Sequence, residues 1–161
     1  MKRFALGLAV FMCASVSTAA SWIVSYSNDE MRGTSTKFIE KYSDNVVNFD
    51  FPYNGGSKLR LVLRSQKTKL KEGQKPEDLK PSEALLVITK GQFNCNISSG
   101  CKISTKLDDG KIIQYKMLPA DSGNVDVIFF EKAGSFIKSL ASHKQLYIEA
   151  DFYNSGSEQF K

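Results

Sequence analysis

Apolar and polar residues alternate with a period of two in several stretches of this chain, and this alternation constrains the fold more than any other feature of the sequence. The alternation is clear in the segments 46–51, 59–64, 101–107 and 146–153. Because successive side chains of a strand point to opposite faces of a sheet, each segment predicts a strand with one dry face. The segment 84–89 is apolar throughout and predicts a strand that is covered on both faces.

One helix interrupts this pattern, and it runs from about Gly134 to Lys144. Four apolar residues recur there at helical spacing and would share one face: Phe136, Ile137, Leu140 and Ala141. With eight to ten short strands in all, the chain is predicted to be mainly β. The expected architecture is a single antiparallel β-sandwich, or a flattened barrel, with one α-helix in the C-terminal half at about 134–144.

Two connecting segments complete the predicted organisation. Asp109-Gly110 is a strong two-residue hairpin signal and separates the strand at 101–108 from the next one at 111–117. The segment 66–83 contains two prolines, mixes lysines with acidic residues and has few apolar residues. It is predicted to be a charged surface loop on a hairpin within one domain, because neither side of it has enough strands to fold alone.

The N-terminus has the organisation of a secretory signal peptide. Lys2 and Arg3 precede the apolar run 4–12, and the small residues that follow end at Ala20. The sequence therefore predicts a cleaved leader, residues 1–20, and one β-sandwich domain, residues 21–161. A membrane anchor is the alternative, but the uncharged run is too short and too rich in Ser, Thr and Ala for a spanning helix. No stable membrane insertion is expected after cleavage.

The charge balance excludes one class of partner. The chain has 22 Lys and Arg residues against 17 Asp and Glu residues, which gives a net charge of +5. Loss of Lys2 and Arg3 with the leader would lower this charge to +3. So mild a charge does not predict a polyanion partner, and an exported protein does not meet cytoplasmic nucleic acid, so no nucleic-acid binding is expected.

After cleavage the chain would keep two cysteines, Cys95 and Cys101, and in an oxidising compartment these predict one disulfide. The residues between them are mostly turn formers, so the bridge is expected to staple the end of a hairpin. A redox-active pair would more often have the Cys-x-x-Cys spacing at the start of a helix. A zinc site would need two further ligands, and His143 is the only other candidate, so no metal or cofactor is predicted.

Several short motifs carry a resemblance to known proteins. They are Trp22, Pro52-Tyr53-x-Gly55, Leu59-x-Leu61-x-Leu63-Arg64, Lys90-Gly91-Gln92-Phe93-x-Cys95, Leu107-Asp108-Asp109-Gly110 and Tyr147-x-Glu149-x-x-Phe152-Tyr153. Their order resembles a group of small exported bacterial β-proteins of uncharacterised function, some of them phage- or plasmid-borne. The layout is also loosely similar to the invasion-associated locus B proteins. The resemblance implies a periplasmic or secreted β-protein and carries no catalytic residues.

The residues themselves do not predict an enzyme. His143 is the only histidine and lies at the end of the predicted helix, and no serine-hydrolase, phosphate-binding or zinc-protease motif is present. Asp108 and Asp109 are typical of a hairpin turn. Glu149 and Asp151 lie two residues apart on a predicted strand, flanked by Tyr147 and Tyr153, and these four residues are the candidate contact face of the protein.

Three functions follow as hypotheses. The leading one is a non-enzymatic binding or accessory protein of the bacterial envelope, such as an inhibitor, an immunity protein or a secretion or assembly accessory, whose partner is another envelope or secreted protein. The first alternative is a glycan-binding or glycan-cleaving envelope protein that uses Glu149 and Asp151. The second alternative is a structural subunit of a surface assembly, in which an exposed edge strand recruits neighbouring subunits.

Overall fold

The computed structural model of this protein describes residues 21–96 and 98–161. The predicted signal peptide, residues 1–20, lies outside the described residues. The described part contains twelve β-strands and one α-helix, and that helix, α1, has eight residues. No helix in these ranges is long and apolar enough to cross a membrane.

The strands follow one another along the chain in an almost uninterrupted series. Their bounds are β1 (Ile23–Asp29), β2 (Thr34–Tyr42), β3 (Val47–Phe49), β4 (Gly55–Ser57), β5 (Leu59–Arg64), β6 (Thr68–Lys69), β7 (Glu83–Ile88), β8 (Cys101–Leu107), β9 (Ile112–Pro119), β10 (Val127–Phe130), β11 (Leu146–Phe152) and β12 (Gly156–Phe160). The helix α1 spans Ala133–Leu140 and lies between β10 and β11. The prediction of a mainly β protein with one helix in its C-terminal half is confirmed.

Ten of the strands form one antiparallel sheet. Its order is β1-β2-β5-β7-β10-β9-β8-β11-β12, and β6 pairs with β2 beside β5. The strands β3 and β4 form a separate two-stranded sheet. The segments predicted from alternation at 59–64, 101–107 and 146–153 are β5, β8 and β11, so these three predictions are confirmed.

The strand β7 is buried on both faces, as its continuous apolar sequence predicts. Leu86 is completely buried on the face that carries the core, and Leu85 is 7% exposed on the opposite face. The register places Leu85 between Val62 of β5 and Phe129 of β10. These neighbours on the adjacent strands explain how an apolar side chain on the outer face of the sheet is kept from water.

Three sequence predictions differ from the structure in their boundaries. The helix ends at Leu140 and not at Lys144, because the N–H groups of Lys144 and Gln145 donate to the carboxylate of Asp108 and draw the chain away from the helix axis. The segment 46–51 forms only the three-residue strand β3.

The strand β3 is short because the chain turns immediately after it. The carbonyl of Asp50 accepts the N–H groups of Tyr53 and Asn54, which closes a turn there. The hairpin between β8 and β9 also differs in detail. Its closing pair is Lys106 and Ile112, so its loop is longer than two residues, and the positive φ of 46° is at Asp108 and not at Gly110.

The core lies between the large sheet on one side and α1 with the β3–β4 hairpin on the other. Phe136 of α1 is fully buried and stacks on Phe130 of β10, with ring centroids 4.0 Å apart. Phe49 of β3 packs against Phe152 of β11, with centroids 5.1 Å apart. Aromatic side chains thus attach both smaller elements to the sheet.

Candidate functional site

The disulfide Cys95–Cys101 is present and joins the two ends of a tight turn at the start of β8. The two Cα atoms are 4.8 Å apart. Within the turn, the side chain of Asn96 accepts the N–H of Ser98 at 2.7 Å, and the carbonyl of Asn96 accepts the N–H of Gly100 at 2.8 Å. The predicted disulfide is confirmed, and the turn formers between its cysteines hold the loop through an Asx-type turn.

Glycine is required at the end of this turn. Gly100 has a φ of 70°, and a Cβ atom there would collide with the backbone carbonyl oxygen of Met117 on β9. The turn therefore lies directly against the neighbouring strand, and any side chain at position 100 would separate them.

The candidate contact face lies on the outer side of the sheet. Tyr147, Glu149 and Asp151 are alternate residues of β11, and Tyr153 follows just after the strand ends. The intervening residues Ile148 and Ala150 are buried in the core. Asp151 and Tyr153 are exposed, whereas Tyr147 and Glu149 are half-buried.

Neighbouring side chains already contact this face. Gln159 of β12 donates its side-chain N–H to the Glu149 carboxylate at 2.7 Å. Tyr147 lies opposite Lys106 of β8, and the Lys161 ammonium nitrogen is 5.4 Å from the centroid of the Tyr147 ring. The face is therefore of mixed charge, and its part in binding stays a prediction.

The edge strand β1 exposes apolar side chains along its length, and the sequence analysis did not identify it. Every residue from Ile23 to Asn28 is exposed. Trp22, Ile23, Val24 and Tyr26 have exposed fractions of 43%, 50%, 48% and 39%. Large side chains on both faces of one strand are thus in contact with water.

Two backbone hydrogen bonds show which way the residues of β2 point. The N–H of Ser43 donates to the carbonyl of Leu59 at 2.7 Å, and the N–H of Ser65 donates to the carbonyl of Lys37 at 2.9 Å. Odd-numbered residues in and just after β2 therefore bond toward β5. Since successive residues of a strand bond to opposite sides, the even-numbered residues bond toward β1.

The same alternation determines which backbone N–H and C=O groups of β1 have no partner in β2. The even-numbered residues of β2 face Ile23, Ser25 and Ser27, and the backbone of these three residues bonds to β2. The backbone N–H and C=O groups that point away from the sheet belong to Val24, Tyr26 and Asn28. β1 is thus an edge with unpaired backbone groups and apolar side chains, among the residues that the structure describes.

The sequence analysis missed β1 for a physical reason. Neither face of β1 is dry, so Trp22 to Tyr26 carry neither the alternation nor the continuous apolar run that burial in the core imposes. The signal that was present is the local enrichment in aromatic and β-branched residues, which favours a strand without locating it.

The charged segment between β5 and β7 adds a further strand to the sheet, on the side of β2 that faces β5. Its strand β6 pairs with β2 alongside Thr34 and Ser35, and a 3-10 turn follows at Pro76–Asp78. Lys37 of β2 donates to the carbonyl of Glu77 in that turn at 2.6 Å. The segment is therefore held to β2 on the side away from β1.

His143 and Asp108 lie together where α1 ends. His143 is exposed, and its Nδ1 is 2.6 Å from the carbonyl oxygen of Ser139 in the last turn of α1. The Asp108 carboxylate accepts the N–H of Gln145 at 2.8 Å and the N–H of Lys144 at 3.0 Å. These backbone hydrogen bonds, that of Gln145 first, lower the pKa of Asp108 below its ordinary value of 3.8.

Both residues thus tie the β8–β9 hairpin and the C-terminus of α1 to the start of β11.

Comparison of the chain with family models, with curated proteins and with solved structures finds no match.

Proposed function

We propose that this protein is an exported, non-enzymatic binding protein of the bacterial envelope that pairs with another envelope or secreted protein through the edge of β1. The observation that carries the proposal is the set of outward backbone groups of Val24, Tyr26 and Asn28 beside exposed apolar side chains. An extended segment of a partner would add to the sheet there, with hydrogen bonds to these groups giving affinity and the side chains of β1 giving specificity.

Two features support export. The first 20 residues have the organisation of a cleaved leader, and the disulfide Cys95–Cys101 is of the kind that persists in oxidising compartments. An inhibitor, an immunity protein and a secretion or assembly accessory all act through protein contacts of this kind.

We also infer that the strands are arranged as a sandwich or a flattened barrel. Six strands separate β2 from β12 in the order of the sheet. Nevertheless, the Asn45 side chain donates to the carbonyl of Gln159 at 2.9 Å and accepts the N–H of Lys161 at 2.8 Å. These contacts support a curved sheet in which β12 reaches the segment that follows β2. β1 then lies outside the closed part of the sheet, as an edge strand.

A matched pair of variants tests the edge. Val24→Pro removes one outward N–H without breaking the β1–β2 hydrogen bonds, because the N–H of Val24 does not bond to β2. Val24→Thr keeps that N–H and has nearly the same shape. The tagged wild-type protein and both variants are incubated with envelope extract, and the captured protein is identified and quantified by mass spectrometry.

We expect the wild type and Val24→Thr to capture the same protein, and Val24→Pro to lose it while keeping the unfolding temperature of Val24→Thr. Equal capture by Val24→Pro and Val24→Thr would remove β1 from the proposal. A lower unfolding temperature for Val24→Pro would be resolved by a second variant, Val24→Lys, which keeps the backbone N–H and places a charge on the edge.

The face of Tyr147, Glu149, Asp151 and Tyr153 is the second candidate surface. Charge reversal by Glu149→Lys with Asp151→Lys is expected to weaken capture if this face contacts the partner. The glycan-directed alternative rests on the same two carboxylates. Incubation of the purified protein with cell-wall fragments tests it, since cleavage or saturable binding would favour that alternative.

A structural role in a surface assembly would use the same edge of β1. If β1 pairs with β1 of a second copy of this chain, size-exclusion chromatography would show dimers that Val24→Pro abolishes. A monomer that captures a different protein supports the binding role instead.

A further inference from the structure

A cavity of about 770 Å³ opens at the end of the sheet where β2 ends and β5 begins. The end of β8, the start of β11 and the end of β12 form its other walls. Its apolar walls include side chains of the core: Leu59, Leu61, Ile148 and Phe160. The volume is within the range of small-molecule sites in proteins, and the lining combines apolar with polar side chains.

The charged residues of this cavity are mostly cationic. Lys41, Lys58 and Lys144 line it together with one side-chain carboxylate, Asp44, and the imidazole of His143. Lys161 also lines it, but the Lys161 ammonium nitrogen lies 5.4 Å from the centroid of the Tyr147 ring on the outer face of β11. In the described ranges, no carboxylate oxygen lies within 4.0 Å of any of these four lysine nitrogens. The cavity therefore combines an apolar interior with an excess of positive charge that internal ion pairs do not neutralise.

We propose that this cavity binds a fatty acid, with the hydrocarbon chain against Leu61, Ile148 and Phe160 and the carboxylate among the lysines. Removal of an apolar chain from water favours binding in proportion to the area buried. A carboxylate is the anionic group that Lys58 and Lys144 would stabilise by charge-assisted hydrogen bonds. The inference goes beyond binding at β1, because the walls named here belong to other strands.

A peptide strand fits this cavity less well than a fatty acid. The backbone of β12 borders it, but the outward carbonyl of Gln159 and the outward N–H and carbonyl of Lys161 already bond to Asn45 and Asp44. A peptide would find no row of unpaired backbone groups along this part of β12. An amphiphile needs none, because its only polar group is the carboxylate.

Trp22 gives the experiment its readout, because it is the only tryptophan of the chain and lines the cavity. The purified protein is titrated with dodecanoate below its micelle concentration, and the Trp22 emission is recorded. Dodecanol, which has the same chain without the charge, and acetate, which has the charge without the chain, are titrated in parallel. We expect a saturable emission change with dodecanoate, binding weaker by about tenfold or more with dodecanol, and no change with acetate.

Two double variants with the same change in charge separate the cavity from the rest of the surface. Lys58→Gln with Lys144→Gln removes two cations from the cavity, and Lys69→Gln with Lys71→Gln removes two from the charged segment after β5. We expect the first pair to raise the Kd for dodecanoate by about tenfold and the second pair to leave it within about twofold of the wild type.

Three results would overturn the proposal. They are no saturable change with dodecanoate, equal affinity for dodecanol and dodecanoate, and equal effects of the two double variants. Calorimetric titration of the same samples guards against an emission change caused by contact with Trp22 outside the cavity. The dodecanoate titrations use no variant of β1, so their outcome does not depend on whether Val24→Pro loses capture. The failure of one proposal is therefore distinguishable from the failure of the other.

Discussion

At the scale of single residues, Gly100 is the position where the structure depends most on the absence of a side chain. We expect Gly100→Ala to lower the free energy of unfolding by about 3 kcal/mol, because the added Cβ collides with the Met117 carbonyl and the positive φ is strained. Urea denaturation followed by circular dichroism measures this loss.

Gly123 is the matched control for that substitution. It has a φ of 77°, close to the 70° of Gly100, but a Cβ there meets nothing within 4 Å. Gly123→Ala should therefore lower the free energy of unfolding only by the cost of the strained backbone conformation, about 1 kcal/mol. An equal loss of unfolding free energy in the two variants would show that the close contact between the turn and β9 does not add to the cost of the substitution.

Asp108 makes the stability depend on pH in the acid range. Its pKa is lower in the folded protein than its ordinary value of 3.8, because the N–H groups of Gln145 and Lys144 favour the carboxylate. The charged form therefore stabilises the fold above pH 3.8, and this contribution is lost as the pH falls from 3.8 through the lower pKa of the folded state.

We expect Asp108→Asn to be less stable than the wild type at neutral pH and to approach it in stability as the pH falls through that window. Asparagine tolerates the positive φ at this position, so the comparison isolates the charge. Urea unfolding of both proteins across the acid range gives the two curves. Parallel curves with a constant separation would contradict the role given to the carboxylate.

At the scale of elements, one aromatic side chain attaches α1 to the sheet. Phe136 is fully buried, stacks on Phe130 and lies edge-on to Tyr115 at 5.4 Å. We expect Phe136→Ala to lower the free energy of unfolding by about 4 kcal/mol, through lost burial and the cavity left behind. Phe51→Ala is the control, because Phe51 is 80% exposed, and it should change stability by less than about 0.5 kcal/mol.

The disulfide constrains a short loop, and its removal tests how much the turn depends on it. We expect Cys95→Ser with Cys101→Ser to lower the free energy of unfolding by about 2 kcal/mol, because the two cysteines are only six residues apart. Denaturation of the variant beside the oxidised wild type measures the loss. No difference between them would mean that the Asn96 turn holds the loop without the bridge.

The elements that the sequence predicted well are those whose pattern the core imposes locally. β5, β8 and β11 alternate because their inner residues meet the core, and β7 is apolar because both of its faces are covered. The end of α1 was placed wrongly because a distant contact decides it, whereas β3 is short because of the local turn that the carbonyl of Asp50 closes. The carboxylate of Asp108, 36 residues before Lys144, ends the helix region, and no local pattern reveals that contact.

At the scale of the whole molecule, the order of the strands could not be predicted from the sequence. β10 pairs with β7, about 40 residues earlier in the chain, and β12 contacts Asn45, more than 100 residues earlier. The same limit applies to the edge of β1. Its exposure depends on which strand has no neighbour, and that is a property of the assembled sheet.

The central claim is that β1 is an unpaired edge that takes up a strand of a partner protein. Residue-resolved amide hydrogen exchange tests it most directly, first on the protein alone and then on the protein with its captured partner. The claim predicts fast exchange at Val24, Tyr26 and Asn28 and slow exchange at Ser25 and Ser27 in the protein alone, with the three fast amides becoming slow in the complex. Slow exchange at all five amides before the partner is added, or fast exchange at Val24, Tyr26 and Asn28 in the complex, would contradict it.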